Sequence, residues 1–209
     1  MSRRNVKRLL IAGAALAALL PPAFAFGPLL PWSPVHPGFA ELRMARGRVL
    51  YPAGTSLPPA YRDLDAMVAE AEAFHGYRAS SPIHVVVSGS WGAFRRSVPW
   101  IRGTGVGAVT LLTGDAIYIT PAVEAGHRDH GEYLRHELSH AVLAQNGAIA
   151  NSFRYSKRYW AYEGLAVWFG RQKSYVTQEE FFAGAPELGV ARHLVSDVPE
   201  ASIRYRYIV

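Results

Sequence analysis

Cysteine is absent from the 209 residues of this chain. A chain without cysteine has no disulfide bond, no thiolate nucleophile and no cysteine-ligated zinc. The absence does not indicate a compartment, because such a chain can fold in oxidising and in reducing surroundings. Any metal site in this protein must therefore be built from histidine, aspartate and glutamate.

The chain also has little net positive charge outside its N-terminus. The formal net charge is +6, and subtracting the four basic residues Arg3, Arg4, Lys7 and Arg8 leaves +2. Nucleic-acid binding needs a dense basic face that neutralises phosphates. The composition therefore indicates no nucleic-acid partner, while a hydrophobic share of 50% is enough for a sizeable core.

The first 26 residues have the features of a delivery segment. A basic start is followed by an apolar run from Leu9 to Leu20 and by Ala23-Phe24-Ala25. This pattern predicts a secretory signal peptide. An uncleaved membrane anchor of about 20 residues is the alternative, and its basic flank would stay in the cytoplasm. Both predict an exported domain, either anchored outside the cytoplasm or periplasmic or secreted.

The remaining chain divides by composition. Residues 27–56 are rich in proline and glycine and are predicted to be a spacer with a short edge strand near residues 48–51. Residues 57–209 are predicted to form one α+β domain. Hydrophobic periodicity places helices at 58–75, 132–145 and about 159–170, a buried strand at 83–87, and a hairpin from 108–112 and 116–120.

His136-Glu137-Leu138-Ser139-His140 is the motif that points to chemistry. Residues four apart lie on one face of a helix, so both imidazoles can reach one ion. Glu137, beside the first ligand, can act as the general base for an attacking water. Catalytic zinc sites need three protein ligands and an open fourth position. Two imidazoles together with a carboxylate as the third ligand would favour Zn²⁺ over harder ions.

The third ligand is predicted from a second motif, Trp160-Ala161-Tyr162-Glu163-Gly164-Leu165-Ala166. Glu163 is the acid that lies inside an apolar helical stretch after the first motif. A buried carboxylate is costly unless it is paired or bound to a metal. The small residues Gly164 and Ala166 would let this helix pack closely against the histidines.

Together the two motifs resemble the peptidase MA-like group of gluzincin zinc metallopeptidases. The resemblance implies a minimal zincin-like domain with a small mixed sheet, an active-site helix and a following glutamate-bearing helix. It implies His136, His140 and Glu163 as zinc ligands and Glu137 as general base and proton shuttle. In such enzymes the substrate adds as a strand to the sheet edge before the zinc helix, and residues 116–120 are predicted to be that edge.

This sequence departs from the family pattern in two respects. Val167 stands where several gluzincins place an acid that orients a zinc histidine, so another group must do so. The Tyr or His that would donate to the oxyanion is not identified by the sequence. The candidates are Tyr155, Tyr159, His193, Tyr205 and Tyr207.

The sequence thus predicts a zinc-dependent peptidase that hydrolyses peptide bonds outside the cytoplasmic membrane. Its partners would be a peptide or protein substrate and, if the N-terminal segment is uncleaved, a membrane. The alternative is a catalytically inactive, membrane-anchored zinc-binding scaffold. Glu137 argues against the scaffold, because a purely structural site needs no base beside its first ligand.

Overall fold

The computed structural model describes residues 3–104, 106–126, 129–147 and 159–172. One small mixed five-stranded sheet with packed helices confirms the predicted α+β class. The strands are β1 (Phe39–Met44), β2 (Gly47–Pro52), β3 (Ile83–Val87), β4 (Ala108–Thr110) and β5 (Ala116–Ile119). The α-helices are α1 (Arg3–Phe26), α2 (Leu64–His75), α3 (Trp91–Ser97), α4 (Pro121–Ala125), α5 (His130–Asn146) and α6 (Tyr159–Phe169), with 3₁₀ helices at Leu30–Trp32 and Pro59–Asp63.

The strand order of the sheet is β1-β2-β3-β5-β4. β1 with β2 and β4 with β5 form antiparallel hairpins, whereas β3 lies parallel to both β2 and β5. Residues 27–56, predicted to be a spacer with one short strand, contain the β1–β2 hairpin and so contribute two strands to the sheet. The hairpin predicted at 108–120 is confirmed. The prediction that residues 116–120 form the edge of the sheet is wrong. They form β5, which is an interior strand, and β4 is the edge.

The sheet is covered on both faces. Ile83 and Val85 of β3 face one core, which also contains residues of α2 and α5. Val86 faces the other core, where Phe94 of α3 and Leu30 of the first 3₁₀ helix pack. The alternation follows from the two-residue side-chain period of a strand. Because both faces are buried, β3 is an almost continuous apolar run, as the sequence predicted.

Helix α1 begins in the basic N-terminal cluster and includes Pro21 and Pro22. Among the residues that the structure describes, no helix is long and apolar enough to cross a membrane. Export of the protein stays a prediction from the sequence.

Helix α5 is capped at its N-terminus and is joined to the β4–β5 turn near its C-terminus. The Asp129 side chain caps its N-terminus by accepting hydrogen bonds from the backbone N–H groups of Gly131 and Glu132. Near its C-terminus, the Gln145 amide donates to the Gly114 carbonyl at 3.0 Å. Gly114 has φ +76° in the β4–β5 turn, and a Cβ there would lie 2.4 Å from the Ala141 carbonyl oxygen. This close approach places β4 beside α5.

Glu72 of α2 is a buried carboxylate that joins the helix to the β1–β2 turn. It is 5% exposed, contacts the Arg46 guanidinium and accepts a 2.8 Å hydrogen bond from the Ala79 N–H. Burial alone would raise the pKa of Glu72, but these hydrogen bonds and the charges of Arg46 and Arg78 outweigh it and hold the pKa below its ordinary value.

We expect Glu72→Gln to lower the free energy of unfolding at pH 7 by about 1–3 kcal/mol, because Arg46 loses its charged partner. A carboxylate with a depressed folded pKa stabilises above its unfolded pKa, ordinarily 4.5, and loses that contribution as pH falls through the folded pKa. The difference between wild type and variant should therefore shrink below about pH 4. Urea unfolding at pH 7 and pH 3 measures it. Glu70→Gln, which breaks the more exposed pair with Arg135, is the matched control and should cost under about 1 kcal/mol.

Candidate metal centre

Helices α5 and α6 bring together the three residues that the sequence predicted as ligands. His136 and His140 lie one turn apart on α5, and Glu163 faces them from α6. All three are buried, with exposed fractions of 7–8%. Glu163 places one carboxylate oxygen near each imidazole: Oε2 is 3.3 Å from His136 Nε2, and Oε1 is 3.4 Å from His140 Nε2.

The spacing of these atoms suits a zinc ion. Zinc bonds of about 2.0–2.1 Å to nitrogen and oxygen, at tetrahedral angles, separate neighbouring ligand atoms by about 3.3–3.4 Å. The two Nε2 atoms are 3.1 Å apart, and their distances to the Glu163 oxygens are 3.3 and 3.4 Å. Within the described ranges, these residues are the one group of three or more His, Asp or Glu that could hold a metal ion.

The charge state of Glu163 suits the same role. Burial alone would raise its pKa, but the hydrogen bonds with His136 and His140 and the charges of the two imidazoles hold the pKa well below its ordinary value. A metal ligand of this type must be an ionised carboxylate. Glu163 is therefore held in the form that coordination requires.

Gln172 supplies the orienting partner that Val167 cannot. His136 Nδ1 lies 3.0 Å from Gln172 Oε1, and Gln172 is 1% exposed. An amide oxygen only accepts hydrogen bonds, so His136 donates from Nδ1. Because Nδ1 serves as the donor to Gln172, Nε2 is the nitrogen that would bind a metal after giving up its proton. Gln172 lies after the end of α6, outside both motifs, and no sequence signal identified it.

His140 is held differently. Its Nδ1 has no hydrogen-bond partner among the described residues, but its ring stacks on Tyr162 with centroids 4.2 Å apart. The Tyr162 hydroxyl also lies 3.4 Å from the His140 carbonyl oxygen, to which it donates. Tyr162 precedes Glu163 directly, so one turn of α6 contributes both a predicted ligand and the surface that orients another. In the sequence, the position of Tyr162 directly before Glu163 is the one sign that it could contact His140.

Glu137 lies beside the cluster, where the sequence predicted a base. It is 6% exposed, and the Thr110 hydroxyl of edge strand β4 donates to its Oε2 at 2.6 Å. Burial raises the pKa of Glu137, and the charge of Glu163 adds to that rise, while His136 and the Thr110 hydrogen bond oppose it. The sequence did not identify Thr110, because no pattern reveals which β4 side chain reaches the helix.

The close packing of α6 on α5 depends on a different glycine from the one expected. Among the described residues, no atom lies within 4 Å of a Cβ placed at Gly164, so the prediction that Gly164 permits close packing on α5 is wrong. At Gly170 a Cβ would lie 3.3 Å from His136 Cβ and 2.9 Å from the Glu132 carbonyl oxygen. Ala166 is fully buried, in agreement with the prediction for that residue.

The oxyanion candidates cannot be placed. Tyr155, His193, Tyr205 and Tyr207 lie outside the described residues, and the side chain of Tyr159 does as well. Comparison of the chain with protein-family models, with curated proteins and with solved structures gave no match.

We expect Gln172→Ala to weaken zinc affinity by about 10–100-fold, the usual cost of losing a partner that orients a metal-bound histidine. Gln172→Glu keeps an acceptor oxygen near His136 Nδ1 and should retain most of the affinity. Competition with a chromophoric chelator measures both variants against wild type. Equal affinity in wild type and Gln172→Ala would show that Gln172 does not orient the ligand.

Proposed function

We propose that the protein is a zinc-dependent peptidase in which His136, His140 and Glu163 hold the metal. The observation that supports this most strongly is the buried cluster of two imidazole nitrogens and the Glu163 carboxylate, with contacts of 3.1–3.4 Å and the Glu137 carboxylate beside it. A bound zinc ion supplies a Lewis acid that polarises the scissile carbonyl and lowers the pKa of a coordinated water.

Glu137 is the residue that moves protons in this proposal. Its carboxylate accepts a proton from the attacking water and later delivers it to the leaving amine nitrogen. The Thr110 hydrogen bond to Oε2 restricts the rotamer of the Glu137 carboxylate, so the base is already oriented before the reaction begins. Burial raises the pKa of Glu137, and a carboxylate with a higher pKa is a stronger base toward the proton of the attacking water.

Strand β4 is where we propose that the peptide substrate lies. β4 is the edge of the sheet nearest the cluster, and Val109 and Thr110 are partly exposed. An extended peptide can add to such an edge through backbone hydrogen bonds. Because Thr110 also contacts Glu137, a chain along β4 would pass close to the base. The N-terminal pattern supports a site of action outside the cytoplasmic membrane.

Hydrolysis of casein by the zinc-loaded full chain tests the proposal. We expect activity that is abolished by a chelator and restored by about one equivalent of zinc per chain. Zinc binding without cleavage of casein or a mixed peptide library would instead favour the inactive scaffold. An active preparation that is indifferent to chelators would exclude the metal from the reaction.

A further inference from the structure

A cavity of about 460 Å³ lies between the first 3₁₀ helix, the β1–β2 hairpin and the start of β3. Small-molecule sites typically have volumes of about 300–1,000 Å³. His84 lines the cavity, and it alternates along β3 with Ile83 and Val85, which face the core shared with α5. The cavity is therefore on the sheet face opposite the candidate metal centre.

A row of basic side chains crosses three strands at this cavity. Arg43 of β1 is paired with Arg48 of β2, and Arg48 is paired with His84 of β3. Like charges placed directly opposite each other on a sheet are destabilising. Glu41 Oε1 accepts hydrogen bonds from both guanidiniums, from Arg43 Nε at 3.1 Å and from Arg48 Nη1 at 3.3 Å. One carboxylate serves two arginines, so the row keeps a net positive charge.

His84 contributes an imidazole to the same lining. Burial, followed by the charge of Arg48, lowers the pKa of His84 to about 4, so the imidazole is neutral and polar at pH 7. A neutral imidazole donates from one ring nitrogen and accepts at the other, so His84 can hydrogen-bond a carboxylate.

The remaining wall of the cavity includes apolar surface. Trp32 is 37% exposed and contacts His84 edge to face, with ring centroids 6.3 Å apart. Pro34 and Pro82 also line the cavity. In a ligand with an anionic group and an apolar body, the anionic group would contact the basic row and the apolar body would contact the apolar wall.

We propose that this cavity binds a small carboxylate with an apolar body, held by Arg43, Arg48 and His84. The planar guanidinium matches a carboxylate through two parallel hydrogen bonds. A net charge near one on the row matches a monoanion better than a phosphate, which carries about −1.5 to −2 at pH 7. The carboxylate belongs either to a free organic acid or to the C-terminus of a peptide. This site is independent of the proposed peptidase activity.

Calorimetric titration of the full chain tests the site with four probes: phenylacetate, N-acetylphenylalanine, N-acetylphenylalanine amide and inorganic phosphate. A chelator is present throughout, so that a metal at His136 and His140 cannot bind the carboxylate. We expect at least one of the two acids to bind about 10-fold or more tightly than the amide and phosphate. Binding of both acids indicates a general acid site, and binding of N-acetylphenylalanine alone indicates a peptide C-terminus. An amide that binds as tightly as its acid would overturn the proposal.

Variants identify the residues responsible. Arg48→Gln should weaken acid binding about 10-fold or more, the change expected when a bidentate charged partner is lost. Because Arg48 is partly buried, Arg43→Gln is the second variant, and its side chain is 81% exposed, so the fold should tolerate the change. Arg96→Gln, on α3, is the matched control, and thermal unfolding verifies that each variant is folded. Unchanged acid affinity in folded Arg43→Gln and Arg48→Gln would exclude the site.

Discussion

Glu137→Gln should lower peptidase turnover by about 10²–10⁴-fold while the protein still binds one zinc ion per chain. The amide has nearly the shape of the carboxylate and can still accept a hydrogen bond from Thr110, so the fold and the ligand cluster should persist. It cannot accept the proton of the attacking water. Casein or peptide hydrolysis and zinc content, measured on the same preparation, separate the loss of the base from the loss of the metal.

Glu132→Gln, in the first turn of the same helix, is the matched control and should keep both activity and zinc. Thr110→Val should have a turnover between those of wild type and Glu137→Gln, because it keeps the Glu137 carboxylate but removes the hydroxyl that orients it. Turnover equal to wild type in Glu137→Gln would mean that another group moves the proton. Loss of zinc together with activity would mean that Glu137 has a structural role instead.

Glu163→Ala should weaken zinc affinity by more than the roughly 10–100-fold expected for loss of an orienting partner. The variant keeps two histidines but loses the carboxylate that contacts both Nε2 atoms. Zinc would then keep only two protein ligands instead of three, and its positive charge would lose the anion that balances it in a buried site. Competition with a chelator of known affinity, at several pH values, gives the change.

Two further variants make the Glu163 result specific. Glu163→Gln keeps an oxygen ligand without the charge and should lie between wild type and Glu163→Ala. Val167→Ala, one turn further along α6, removes buried apolar volume without touching a ligand and controls for a general loosening of the helix. Equal zinc affinity in wild type and Glu163→Ala would remove Glu163 from the ligand set.

The sequence predicted the elements that local patterns determine. The four-residue spacing of His136 and His140 places both imidazoles on one helical face wherever that helix lies. The isolated acid in an apolar helix identified Glu163 for the same local reason. The structure brings these three residues together, and their role as metal ligands remains a prediction until a metal is measured.

Features that depend on tertiary contacts were not predictable in this way. Gln172 reaches His136 because the chain turns back after α6, and Thr110 reaches Glu137 because β4 lies beside α5. Neither arrangement leaves a periodic pattern in the sequence. The choice of β5 as the edge failed for a related reason: a hairpin does not specify which of its strands pairs with the rest of the sheet.

Composition was also a weak guide to residues 27–56. Proline and glycine in that segment indicated a spacer, yet Gly47 permits a close approach that the sheet requires. A Cβ at Gly47 would lie 1.9 Å from the Ile83 carbonyl oxygen. The glycine thus lets β2 pair with β3, and the same hairpin contributes Arg43 and Arg48 to the proposed carboxylate site.

X-ray absorption at the zinc edge of the zinc-loaded full chain tests whether His136, His140 and Glu163 hold the metal. We expect one zinc per chain with two imidazole nitrogens and oxygen ligands at about 2.0–2.2 Å. His140→Ala should reduce the imidazole contribution to one. A chain that binds no zinc, or a zinc environment unchanged in His140→Ala, would contradict the assignment of this site.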